Sequence, residues 1–72
     1  MTDAAAVIVR RIGDPFEAEA AEAGPPATRP AHVAVLNRAF YDSTVDIGGI
    51  VRIEGWTYIC TRSGWRVAAA PG

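Results

Sequence analysis

The chain of 72 residues has one cysteine, one histidine and no lysine. The lone cysteine, Cys60, excludes an internal disulfide. The lone histidine, His32, excludes a Cys/His zinc cluster. Both absences matter, because so short a chain buries a small core and starts with little surplus stability. Dense packing in a small barrel, or support from neighbours, is what remains. No apolar run approaches the roughly 18 residues of a membrane-spanning helix, so none is expected. Met1-Thr2-Asp3 opens without a basic region or a long apolar stretch, so no signal peptide is read. The missing lysine, beside an alanine excess, suggests a GC-rich coding sequence, which concerns codons and not chemistry.

Half of the residues are hydrophobic, but alanine supplies much of that fraction and buries little surface per residue. The formal net charge is −1, which implies neither a nucleic-acid coat nor an acidic tail. Its distribution is uneven. Before Gly24, Asp3, Asp14, Glu17, Glu19 and Glu22 outweigh Arg10 and Arg11, a balance of −3. After it, Arg29, Arg38, Arg52, Arg62 and Arg66 outweigh Asp42, Asp46 and Glu54, a balance of +2. An acidic front and a mildly basic back suit docking on copies or neighbours; solvated surfaces also carry such splits by chance.

Val7, Ile8, Val9 and Ile12 read as a strand stopped by Gly13-Asp14-Pro15. Residues 16–23 carry helix grammar, with Asp14 as N-cap, Pro15 at the first helical position, Glu17 three after the cap, and Gly24-Pro25 as the stop. Phe16 is their one large apolar anchor, so they read either as a short helix held by contacts or as an arm ordered on a partner. Gly24–Pro30 carries three prolines and reads as a stiff linker.

From His32 onward the chain reads as apolar-aromatic runs cut by turn residues. The runs are His32–Phe40, Ile50–Glu54, Trp56–Thr61 and Gly64–Val67. Asp42-Ser43, Gly48-Gly49, Glu54-Gly55 and Ser63-Gly64 separate them. Connections this tight leave no room for crossover helices, so antiparallel pairing is expected. His32–Leu36 is apolar on both faces, as a central strand would be. The expected fold is mainly β, a small SH3-like or related antiparallel barrel. Residues 1–30 supply an N-terminal strand, a short helix or arm and the Pro-rich linker; residues 31–72 supply the β unit, in a single domain overall.

Catalytic signals are weak. Asp42 and Asp46 lack the oxygen ligands of a calcium loop and read as turn carboxylates. Cys60 has only His32 as a possible base and reads as a small core residue. Gly48-Gly49 lacks phosphate-loop spacing. No enzyme, cofactor or metal is read from the sequence. Trp56, Tyr58 and Trp65 are interleaved with Arg52, Arg62 and Arg66. That set reads three ways: as core bulk, as a docking face enriched in hot-spot residues, or as a base-stacking surface. The net charge weighs against nucleic acid. Candidate partner-binding residues are Trp56, Tyr58, Trp65, Arg52 and Arg66, with Phe16, Glu17 and Glu19 on the arm.

Val33-Ala34-Val35-Leu36-Asn37-Arg38-Ala39-Phe40-Tyr41-Asp42, followed by Gly48-Gly49-Ile50-Val51-Arg52-Ile53, resembles a pattern in small head-associated proteins of tailed bacteriophages. There a Val-x-Val-Leu strand leads through an aromatic-Tyr-Asp turn to a glycine and a second strand. The resemblance covers about 20 of the 72 residues and carries over no binding residue. After Ile53 many relatives continue into a helix, where this chain reads as further strands. The resemblance implies a non-enzymatic virion structural protein, a capsid decoration or minor head protein made in the host cytoplasm. Its partners would be the major capsid protein, other virion proteins or copies of itself, without a membrane. The other reading is a small β-barrel adaptor for a peptide or nucleic acid.

Overall fold

The computed structural model describes residues 5–72. The elements are β1 (Ala6–Arg10), α1 (Pro15–Ala21), α2 (Pro30–Tyr41), β2 (Ile50–Ile53), β3 (Trp56–Thr61) and β4 (Gly64–Ala69). The four strands form one antiparallel sheet in the order β1-β2-β3-β4. The sheet is open, not closed into the expected barrel, and with its two helices makes a small α/β domain.

The turns form where glycine permits them. Ile53 pairs with Trp56, leaving Glu54 and Gly55 as a two-residue loop with φ of 51° and 85°. Two positive φ values in succession define the type I′ turn, whose twist matches that of the flanking strands. Thr61 pairs with Gly64, which has φ 103°, and Thr61 Oγ1 donates to the Gly64 carbonyl at 2.6 Å.

The largest correction concerns His32–Leu36, expected as a central strand and found within the helix Pro30–Tyr41. Pro30 sits at the helix start, where its missing N–H costs nothing. His32 and Leu36 are buried, and Val35 and Ala39 pack partly against the core. Positions 32, 35, 36 and 39 form one helical stripe. Ala34, Asn37 and Arg38 are exposed. Two β-branched valines and small apolar residues on the outer side made the run look two-faced.

Strand alternation places Val51, Ile53, Tyr58, Cys60 and Trp65 on one face of the sheet. α2 covers this face with Leu36, and Val45 closes the end, giving the main core. Ile59 has the opposite parity and is also buried. α1 packs against β3 and β4 there, burying Ala18. Of the two readings of the arm, the structure takes the short helix. Asp14 accepts from the Phe16 N–H at 2.8 Å, as its N-cap position requires.

The proline segment is not a free linker. Ala27 N–H donates to the Trp65 carbonyl at 2.9 Å, and Val67 N–H to that of Pro25 at 2.8 Å. The segment lies along the outer edge of β4 as the chain passes from α1 to α2. The edge of β1 has no such cover among the described residues.

Candidate functional site

The densest polar-aromatic arrangement lies where the start of α2 meets β3. His32 projects from the first turn of α2 and is 4 % exposed. Its Nδ1 lies 2.7 Å from the Tyr58 hydroxyl and its Nε2 3.1 Å from Glu54 Oε1. A carboxylate cannot donate, so Nε2 carries the proton and donates to Glu54. In the neutral imidazole Nδ1 then accepts from the Tyr58 hydroxyl. Trp56 stacks on Tyr58 with ring centroids 6.2 Å apart and 9° between planes. The Arg29 guanidinium lies 4.9 Å from the Trp56 ring centroid, a cation–π contact.

Within the linked Glu54, His32 and Tyr58 the imidazole and the phenol are enclosed and partnered, and the Glu54 carboxylate is the part that reaches solvent. Tyr58 is 1 % exposed, and burial raises its pKa above 10.0, outweighing the lowering effect of Arg29; Glu54 adds to the rise. The phenol is therefore a neutral donor. Its ring supplies core bulk, and its hydroxyl holds α2 to the sheet. Cys60 is buried and free, and burial pushes its thiol up to about 11. A protonated, enclosed thiol is a poor nucleophile. Among the described residues no group of three His, Cys, Asp or Glu side chains comes together to hold a metal. No described helix is long and apolar enough to cross a membrane.

The structure separates the residues expected on one basic-aromatic face. Tyr58 and Trp65 are core residues and Trp56 is half-buried, all on the side covered by α2. Arg52 and Arg66 alternate to the opposite face, level with Thr57 and Ile59. Arg52 is exposed, whereas Arg66 is half-buried with its Nε enclosed and without a partner. Glu17 lies 2.7 Å from Arg10 Nη2, an ion pair without aligned hydrogen-bond geometry, so it ties α1 to β1. Glu19 is exposed and lines a groove of 390 Å³ with Phe16, Glu22, Ile47 and Arg62.

Sequence reasoning did not single out Arg29, His32 and Glu54 as a group. The available signal was the four-residue spacing of His32 and Leu36 directly after a helix-starting proline. The N-terminal strand was expected alongside a closed barrel. β1 is an open edge instead, with Val7, Ile8 and Val9 at 63, 40 and 53 % exposure. Further along the chain Ile12 at 67 % and Phe16 at 79 % are exposed as well. Phe40 and Tyr41, at the end of α2, are exposed separately.

Comparison with known proteins finds no matching family model, no matching curated protein and no matching solved structure.

Proposed function

We propose that the protein is a non-enzymatic assembly component that docks by adding β1 to the strand edge of a protein partner. The observation that carries this reading is the apolar edge of β1, which presents a row of backbone donors and acceptors beside exposed Val7, Val9, Ile12 and Phe16. Main-chain pairing supplies affinity in strand addition, and side chains along the edge supply specificity. The polar groups that elsewhere suggest chemistry are satisfied internally, as in the His32 network, or enclosed, as at Cys60.

The virion role is the form of this reading in which the partner is a major capsid protein and the chain sits on the head surface. The helical residues 30–41 remove the strand with which the phage resemblance began. The proposal therefore leans on the edge, with the capsid as the partner to test first. The adaptor reading calls for Trp56, Tyr58 and Trp65 beside Arg52 and Arg66, and that grouping has no support in the register.

The test is gradient sedimentation of lysate from the source cells. The wild-type protein should travel with a large assembly in many copies. The Val7→Lys/Val9→Lys variant should stay at the top of the gradient, because edge lysines oppose strand addition. Recovery of both proteins only at the free position overturns the reading.

A further inference from the structure

We infer that the cavity between α2 and the β3–β4 hairpin binds a small aromatic carboxylate, its ring held by Phe40, Ile47 and Trp65 and its carboxylate by Arg62. No residue of β1 lines this cavity, so the site is separate from the docking edge and goes beyond that reading.

The cavity has a volume of 280 Å³. Asn37 and Phe40 reach it from α2, three positions apart and therefore on one side of the helix. Cys60 and Trp65, a cross-strand pair, reach it from the sheet, and Ile47 lines it from the loop before β2. Its wall is thus mostly apolar and half aromatic, with polar groups few in number. A site of this kind takes its affinity from an enclosed apolar body and its orientation from one or two polar contacts. The volume falls just below the roughly 300 Å³ at which ligand pockets begin, which suits one ring with a short polar tail and is too little for a nucleotide or a peptide.

Charge selects the tail. Burial keeps the Cys60 thiol protonated at neutral pH, which leaves Arg62 as the one ionised group in the lining. The fold uses several of its other arginines. Arg10 meets Glu17 and the Gly48 carbonyl, Arg11 the Thr44 carbonyl, and Arg38 the Asp42 carboxylate. Arg62 is exposed and forms no ion pair among the described residues. It also borders the groove that holds Glu19 and Glu22, yet neither carboxylate comes within ion-pair distance of it. A guanidinium offers two parallel N–H donors that match the two oxygens of a carboxylate. An ammonium ligand would meet repulsion there, and a neutral one would leave the charge unused.

The experiment titrates the purified full chain with phenylacetate from about 0.1 to about 10 mM, a range that brackets the near-millimolar Kd of a ligand with so few atoms. Nitrogen–proton NMR follows the indole N–H signals of the two tryptophans. The Trp65 signal should shift and saturate, while that of Trp56, at the far end of β3, stays in place. Phenylacetamide and phenethylamine keep the ring and lose the negative charge, so each should bind about fivefold more weakly or worse. Arg62→Gln, an exposed change in a turn, should weaken phenylacetate about fivefold and leave phenylacetamide unaltered. Arg62→Glu should reverse the order and favour phenethylamine. Phenylacetate that leaves the Trp65 signal in place overturns the site. Equal affinity for the acid and the amide, or undiminished binding of the acid to Arg62→Gln, overturns the assignment of the carboxylate to Arg62.

Discussion

Replacing Tyr58 by Phe removes one oxygen atom and tests whether the His32 network holds α2 to the sheet. The phenylalanine ring keeps the apolar contacts of the core and the stacking on Trp56. What is lost is the donor 2.7 Å from His32 Nδ1, in a histidine that is 4 % exposed. The nitrogen is left without a partner in a site that water does not reach. Orphaning a buried polar group costs about 1–3 kcal/mol. In a domain of this size each kcal/mol lowers Tm by about 4–8 °C, so a fall between about 4 and 24 °C is expected. Removing both polar groups should be gentler than the sum of the single changes, because neither partner is then orphaned. His32→Leu, Tyr58→Phe and the double variant, measured by thermal and urea melts, should show a coupling of about 1 kcal/mol or more in that direction. Glu54→Gln should cost about 0.5 kcal/mol, since its side chain is 62 % exposed and an amide oxygen still accepts from Nε2. Additive single changes, or an unshifted Tm for Tyr58→Phe, would refute the latch.

Three further outcomes follow from particular residues. Ala34→Pro, on the exposed side of α2, should cost about 3 kcal/mol and reduce the helical circular dichroism signal, because proline breaks a helix interior; an unchanged signal and melt would mean the segment is not helical. Gly48→Ala should destabilise by about 1–3 kcal/mol, since Gly48 has φ 84° and an added Cβ would stand 2.7 Å from the Gly13 backbone. Gly49→Ala should also destabilise, though its φ is not positive, because a Cβ there would run into Val45 Cγ1; equal melts for the wild type and both alanine variants would contradict this geometry. Cys60 should resist iodoacetamide in the native state and react once unfolded. Its folded pKa of about 11 lies above the ordinary 9.0, so above pH 9 the unfolded chain releases a proton that the folded chain keeps. Stability should therefore fall from about pH 9 to about 11, and Cys60→Ala should flatten that decline relative to the wild type.

Much of the β architecture was legible because tight turns constrain it locally. Glu54-Gly55 is a weak relative of the strongest hairpin dipeptide, yet it adopts the predicted turn, and Ile50–Ile53, Trp56–Thr61 and Gly64–Ala69 pair around the turns as read. The short helix was legible as one of two readings because Asp14, Pro15 and Gly24 mark both of its ends. His32–Leu36 differs from the expected strand because a short run apolar on every side carries no decisive period. The choice between strand and helix there belongs to the sheet, whose face of Val51, Ile53, Tyr58 and Trp65 needed a cover.

That one change of element reorganises the surface. Had residues 32–40 joined the sheet as a strand, its curvature could have brought the first and last strands together and left no edge. As a helix, the same residues lie across one face, while α1 packs on the other, and the sheet keeps two edges. The chain then caps β4 with its own proline segment, and no described residue covers β1. The two arginines that end β1 do little to mask the edge, because Arg10 turns to Gly48 and Glu17 and Arg11 to the carbonyl of Thr44. Their charges are engaged within the fold, so Val7, Ile8 and Val9 face solvent without a charged side chain folded over them. A protein with so little apolar bulk gains by burying what it has, and this strand is a share of it still uncovered. The pressure toward a partner thus arises from the same shortage of large side chains that limits the core.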